Sequence, residues 1–504
     1  MNKGNDGKSI FKTVFSVSSI LLFAKIFGFA KQIIVANAFG ATIDTDIISL
    51  SQGIVTNFEY LISQTMITAF IPIYISVKEM KGDEKHFVSN VIKIFVVVSI
   101  AISILIFVFA PFITKIIAPS YKGMVADSLT HNIRIYAFSL VVLVLTAIFN
   151  ALLKGNKRFL PGEITSVNQS LVFIICVLAL GNVFGVQILI ISFFLYVIIN
   201  MIYLGFLSRK LYKVELHRFY IDKNVKKLLC MIAPLLFGYA MLYINQLVDK
   251  ILASGLGDGT VTAMSYSAVL SNFITGFIGS ICGIAFTYIA QNVTEKSDEK
   301  AASIVGYFIT FFVTVLVPVS IISVVDAREI VTIVYGRGAF DTTAVENSTY
   351  ALMGYGSLFI PYVLRELFTR FQYSYQDSKR PMINSVVSII FNIVLSIIFS
   401  RFLGIFGITI ASSVSVLVCA VLNIISSRKF NRYLKVSYFR KQFVFWVVGG
   451  ALCLLVNIFL KQYLQIDNIL LRFFVLGTAS LVIYALVVLP LLVSIIRERK
   501  SIRK

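Results

Sequence analysis

Charge is scarce in this chain. Only 14% of its 504 residues are Asp, Glu, Lys or Arg, against about 25% in a soluble globular protein. Acids are the scarcer sign, 24 against 45 lysines and arginines, which leaves a net charge of +21. There are one tryptophan, three histidines and five cysteines. His86, His131 and His217 are scattered, without metal-ligand spacing. Cys176, Cys230, Cys282, Cys419 and Cys453 are odd in number and lie in apolar runs, so they read as small core residues and not as a disulfide framework. Long polar stretches are also missing, and with them any separate soluble domain. The longest outer loop, Asp326 to about Thr343, offers Asp326, Glu329 and Asp341 without convergence. A membrane enzyme needs a catalytic acid or histidine on a sizeable loop, so the expectation is that the chain is not an enzyme.

What the chain has is hydrophobicity: 58% of residues are hydrophobic and mean hydropathy is +0.89. A membrane-crossing helix needs about 20 mostly apolar residues. Such runs lie near 9–37, 47–76, 89–117, 133–153, 160–183, 186–208, 228–254, 261–290, 302–325, 344–374, 382–400, 405–427, 442–460 and 468–495. They predict an all-α polytopic membrane protein with fourteen transmembrane helices. Ala36-Asn37-Ala38 imitates a signal-cleavage site. The apolar run before it contains Lys25 and Lys31 and exceeds the usual apolar core of about 7–15 residues, so the segment is expected to be retained.

Basic residues alternate with these runs. Of the 45, 31 fall on one set of ends and loops, 8 on the other set and six within spans. By the positive-inside rule the richer set, with both termini, is cytoplasmic. The basic excess therefore marks membrane orientation and does not indicate a nucleic-acid partner.

The chain also repeats itself. TNFEYLI around Asn57 returns 215 residues later as SNFITGF around Asn272, and Lys81-Gly82-Asp83-Glu84-Lys85 as Lys296-Ser297-Asp298-Glu299-Lys300. AKQIIVANAFG from Ala30 aligns with VDKILASGLG from Val248 after a short gap. An offset of six spans keeps orientation, which predicts two six-helix lobes related by a parallel repeat. The expected domains are 1–215, 216–430 and a C-terminal helix pair within 431–504.

Nine charges fall at or within the spans: Lys25, Lys31, Asp46 and Glu59, then Asp249, Lys250, Arg365, Glu366 and Arg370. Each costs about 2.5–3.5 kcal/mol at bilayer depth, even on the lenient insertion scale. Lys25 and Lys31 stand about 120° apart on an ideal helix, so pointing both inward requires a wide cavity or a break at Gly28. One reading makes these charges structural pairs, Lys31 with Asp249 and Glu366 with Arg370. The other gives the cations an anionic headgroup and the acids a coupling cation. Pro234, Pro318 and Pro361, with Gly28, Gly276, Gly279 and Gly283, allow bending and close packing within spans.

Taken together, AKIFGFAKQIIVANAFGATIDTD from Ala24, AFIPIYI from Ala69, NALLKGNKRFLP from Asn150, VDKILASGLGDGTVTAMSYS from Val248, YGRGAF from Tyr335 and RFQYSYQDSKRP from Arg370 resemble the MviN/MurJ lipid II flippases of the multidrug/oligosaccharidyl-lipid/polysaccharide exporter superfamily. The resemblance covers essentially the whole chain. It implies a flippase that moves an undecaprenyl-pyrophosphate-linked glycan, lipid II, outward across the bacterial cytoplasmic membrane by alternating access. The alternatives are a flippase for a capsular, O-antigen or exopolysaccharide precursor, or a drug/cation antiporter.

The resemblance also implies a substrate cavity at Lys25, Lys31 and Asp46. Glu59, Arg365 and Arg370 join that set as intramembrane charges. A sodium site is implied at Asp249, Asn392, Ser396 and Ser413. No cofactor is expected beyond coupling to sodium ion or membrane potential, and the partners are a lipid-linked glycan and membrane lipids around a monomer. The sequence departs from the family at Val269, which replaces an arginine, at Gln32, which replaces an acid, and at Lys25 and Lys31, which replace arginines. Lysine lacks the guanidinium fork that suits pyrophosphate.

Overall fold

The computed structural model describes residues 20, 23–80, 82–212, 223–433, 439–464 and 466–502. The expected start of the first span, the 215/216 boundary, Lys81 and both extreme termini lie outside them. Every regular element among the described residues is a helix. Among the described residues, eight helical stretches, or nine with one bent pair counted as a single span, are long and apolar enough to cross a membrane by length and composition.

The chain begins with α1 (23–39) and α2 (Ile43–Thr65). Thr42 and Thr45 exchange side-chain-to-backbone hydrogen bonds at the start of α2, and Asp44 and Asp46 sit in its first turn. That arrangement satisfies the free amides and suits the helix dipole. A widened turn, Met66–Phe70, leads into α3 (Ile71–Glu79). Pro72 has no N–H to give the carbonyl four residues back, which accounts for the loosened ladder there.

Next come α4 (Glu84–Ile117), α5 (Met124–Ala137), α6 (Ser139–Gly155), α7 (Leu160–Phe184), α8 (Ile188–Ser208) and α9 (Lys223–Ser254). The expected span 133–153 is a bent pair, α5 and α6, meeting at 40°. The N-K-R-F-L-P connection is held by Lys154 and Glu163 at 3.2 Å and by Asn156, which accepts from Lys78 at 2.7 Å and donates to Tyr74 at 2.9 Å.

Then follow α10 (Thr260–Thr294), α11 (Asp298–Val325), α12 (Ala327–Tyr335), α13 (Thr342–Gly356), α14 (Phe359–Ser374), α15 (Lys379–Ser426), α16 (Arg428–Tyr433), α17 (Arg440–Tyr463) and α18 (Ile469–Ile502). Two departures from expectation have clear causes. The span expected at 344–374 breaks at Ser357–Leu358, because Pro361 is tolerated only in the first turn of a new helix. The loop expected after Asp326 contains α12, whose apolar face buries Ala327, Val331 and Tyr335. The 48-residue α15 is two helices joined at Gly404, whose φ of 58° ends the first. The expected 430/431 boundary falls inside α16.

By packing, Met1–Thr262 with Gly338–Phe340 forms one compact unit, and Ala263–Arg337 with Asp341–Lys504 a second. The repeat assigns α9 to the second lobe, yet α9 packs on α2 and α4 and so lies within the first unit. The core of the first unit gathers Val35, Phe39, Val55, Phe173, Phe193 and Tyr196. That of the second gathers Cys282, Val305, Phe312, Phe359, Phe368 and Phe371.

Motif glycines in the first unit are explained by close backbone approach. Gly259 has φ +77°, and a Cβ there would collide with the Ala41 carbonyl. Gly259→Ala is expected to cost at least about 1–2 kcal/mol, the penalty of a left-handed backbone alone. A lowered thermal midpoint of the purified protein checks it.

Candidate functional site

In the first unit the charges sit on α1, α2 and α9. Val35, Ala36 and Phe39 form the buried face of α1. Lys31 lies one turn before Val35 and shares that face. Its ammonium sits 5.1 Å from the centre of the Phe173 ring on α7, within the range of a cation–π contact. Lys25 is exposed on another side of the helix. The structure therefore separates the two lysines that the sequence paired: Lys31 is anchored and Lys25 is not. Gly28 stays helical, and a Cβ there would only touch Ser170 at 3.9 Å.

Lys250 reaches α2 from α9, its ammonium 3.0 Å from where a Cβ on Gly53 would stand. Its neighbour Asp249 is buried, 8% exposed. Glu59 is partly buried and within electrostatic reach of Tyr196 and Tyr243. Tyr243 in turn makes an edge contact with Tyr60 at 5.4 Å. The result is a mixed-charge face with aromatic walls.

Asp46 has a different job from its neighbours. It is 0% exposed. Its Oδ1 accepts from the Thr262 amide at 2.7 Å, and its Oδ2 from the Val261 amide at 3.4 Å. Those amides open α10, and the first amides of a helix have no partner within it. Asp46 is thus a capping acid supplied from more than 200 residues away in sequence. Both of its carboxylate oxygens accept from backbone amides. A half-open cavity of about 920 Å³ in the same unit is lined by Asp44, Asp127, His131 and Gln187, and by none of the sequence-named site residues.

In the second unit the charges lie on α14. Its buried face carries Phe359, Val363, Leu367, Phe368 and Phe371, and the opposite face carries Arg365, Glu366 and Arg370. Glu366 pairs with Arg365 at 2.9 Å and with Arg370, one turn on, at 3.3 Å. Arg365 also stacks on Tyr362 at 4.7 Å, and Arg370 donates to the Gly279 carbonyl at 3.4 Å. Two guanidinium groups share one carboxylate, so one positive charge is left over. Both are about a quarter to a third exposed, 30% and 27%. The expected Glu366–Arg370 pair is present, and the triad is internally bonded yet keeps a net positive charge.

Three of the residues named for sodium, Asn392, Ser396 and Ser413, lie in the second unit, and Asp249 lies in the first. Asn392 donates to Ser412 and Ser415, each at 3.2 Å, and accepts from Ser396 at 3.4 Å. Ser413 points elsewhere, to the Gly354 carbonyl at 2.8 Å. Ser412 and Ser415 complete the polar cluster that the sequence reading assigned in part to Ser413. One residue of register turns a helical side chain by about 100°, and no sequence signal distinguishes adjacent serines.

Two family-like motifs also prove structural. Gln372 donates to the Asn423 carbonyl at 2.8 Å and to Ser426 and Ser427, each at 2.9 Å. Ala339 in YGRGAF donates its amide to the Asn37 carbonyl at 2.9 Å.

A chain whose regular elements among the described residues are all helices, several of them of bilayer length, belongs to the class of polytopic helical membrane proteins. Its fold is that of a solved lipid II flippase MurJ in an inward closed conformation: TM-score 0.76 at 19% identity, covering 95% of this chain and 100% of that one. A multidrug-resistance MATE-family transporter of the MOP superfamily, inward-facing, shares it at TM-score 0.65 and 15% identity, covering 84% and 99%. The sequence profile described as Lipid II flippase MurJ matches residues 35–473, and the chain belongs to that family. Among curated relatives, the probable lipid II flippase MurJ of Vibrio cholerae is 24% identical over 428 residues, 82% of this chain and 81% of the relative. That of Borreliella burgdorferi is 24% identical over 426 residues, 81% and 82%.

Proposed function

We propose that this chain is a lipid II flippase, a transporter and not an enzyme, serving peptidoglycan synthesis at the bacterial cytoplasmic membrane. The family match across residues 35–473 carries the reading. The chemistry of the charged faces supports it. A pyrophosphate-linked lipid brings a concentrated negative charge into a region where water is scarce, and fixed cations offset its desolvation. Lys31 and Lys250 supply them in the first unit, and the surplus charge of Arg365, Glu366 and Arg370 in the second. Phe173, Tyr196, Tyr243 and Tyr362 give apolar faces beside those charges.

The finer topology belongs to the same proposal: fourteen passages, two six-helix lobes at 1–215 and 216–430, and a helix pair within 431–504. Both termini are cytoplasmic, and the working unit is a monomer that alternates between inward and outward access. The energy source is the membrane potential or a sodium gradient. Replacing sodium with choline at a clamped potential separates the two, since only sodium coupling responds.

Complementation tests the reading in cells. The chain, produced in a strain depleted of its own lipid II flippase, is expected to restore growth. Membrane-inserted protein without rescue would count against it.

A further inference from the structure

We propose that Asp326 is a proton-binding site whose proton sets how firmly the α17–α18 hairpin is held against α11 and α12. The site lies entirely within the second unit, where α11 stops and α12 begins. The sequence here reads as a loop whose acids do not converge. In the structure Asp326 and Glu329 converge on Lys461, in the last turn of α17. Lys461 Nζ lies 2.8 Å from Glu329 Oε2 and 3.6 Å from Asp326 Oδ1, and also donates to the Val325 carbonyl at 2.8 Å. Arg472, in the first turn of α18, lies 3.9 Å from Glu329 Oε1. Asn457 on α17 donates to Asp326 Oδ2 at 2.7 Å and to Ser480 on α18 at 3.2 Å. Asp341, the third acid of that stretch, stands apart and caps α13 through the Ala344 amide at 2.7 Å.

Asp326 and Asn457 are each 0% exposed. Asp326 Oδ1 and Asn457 Oδ1 are both buried acceptors without a hydrogen bond. A buried acceptor left without a partner is destabilising. A proton on Asp326 turns one of the two acceptors into a donor and removes a fully buried negative charge. The groups facing the carboxyl are Glu329 from α12, Asn457, Lys461 and Cys453 from α17, and Ser480 from α18, with Arg472 beyond Glu329. Burial pushes the Asp326 carboxyl up from its ordinary value. The Asn457 hydrogen bond and the Lys461 charge pull it back in part, while Glu329 adds to the rise.

The sign follows from linkage. A carboxyl with a raised folded-state pKa binds its proton more tightly when the hairpin is docked than when it is released. Docking is then strongest at low pH and weakens as pH rises through the docked-state titration.

The test uses the full chain in lipid nanodiscs. Hydrogen–deuterium exchange at the end of α17 and the start of α18 is followed from pH 8 to pH 5.5 and corrected for the intrinsic rate. Protection in the wild type is expected to rise on acidification, by up to about tenfold per pH unit for one linked proton. Asp326→Asn, neutral at every pH, is expected to stay protected and pH-independent. Infrared spectra supply a second readout: a protonated-carboxyl band that fades as pH rises and survives Glu329→Gln. An Asp326→Asn profile that tracks the wild type, or a wild type without that band at pH 5.5, overturns the proposal. The band decides alone where Asp326→Asn does not fold.

Discussion

Lys31→Met should lower lipid II flipping by about 10- to 100-fold while the protein stays folded, because a hydrogen bond to a charged group is worth about 1.5–3 kcal/mol. Methionine keeps an unbranched side chain reaching toward Phe173, whose ring the Lys31 ammonium faces at 5.1 Å. What it removes is the charge. Lys31→Arg keeps the charge and is expected to retain activity. A purely structural role for Lys31 predicts another pattern. Its contact with Phe173 is then the only thing that matters, and Phe173→Leu and Lys31→Met lower thermal stability together while flipping per folded molecule is unchanged. Initial flipping rates in vesicles, measured beside the thermal midpoint in detergent, tell the two apart.

Asp46→Ala is expected to give the largest loss of stability among the charged positions, about 1–3 kcal/mol for leaving buried backbone donors without an acceptor, of which the lost helix cap is part. Asp46→Asn keeps a side-chain oxygen for the Thr262 amide and should recover most of that loss. The folded Asp46→Asn protein should flip lipid II close to the wild-type rate. A well-folded Asp46→Asn protein with no flipping would return this residue to the substrate path that the resemblance implied for it. Chemical unfolding of purified protein, with folded yield as a control, measures the stability arm.

Asp46 also shows where sequence reading stops. An acid next to an apolar run is visible in the sequence, but its partners lie at Val261 and Thr262, and no local pattern links positions so far apart. The helices themselves were legible because bilayer-length hydrophobicity is a property of single segments. Breaks were partly legible: the gap between the apolar runs 382–400 and 405–427 holds Gly404, where α15 breaks, whereas the break at Ser357–Leu358 falls inside the expected span 344–374 and only Pro361 hints at it. The Glu366–Arg370 pair was readable from its one-turn spacing. The pairing of Glu366 with Arg365, its immediate neighbour, was not, since adjacent helical side chains diverge by about 100° and only their length lets them meet. Serine register on α15 failed for the same reason: Ser412 and Ser415 meet Asn392, while Ser413, one step away, bonds Gly354. Asp326 and Glu329 looked unrelated because their counter-charges, Lys461 and Arg472, come from helices more than 100 residues later.

Reconstituted transport tests the central claim most directly. Purified chain is placed in liposomes with labelled lipid II, and the label's arrival in the opposite leaflet is read with a membrane-impermeant reagent. The expected result is faster arrival than in protein-free or Lys31→Met liposomes, and faster for lipid II than for an undecaprenyl-pyrophosphate carrying an unrelated glycan. Arrival no faster than in protein-free liposomes, or a preference for the unrelated glycan, would contradict it.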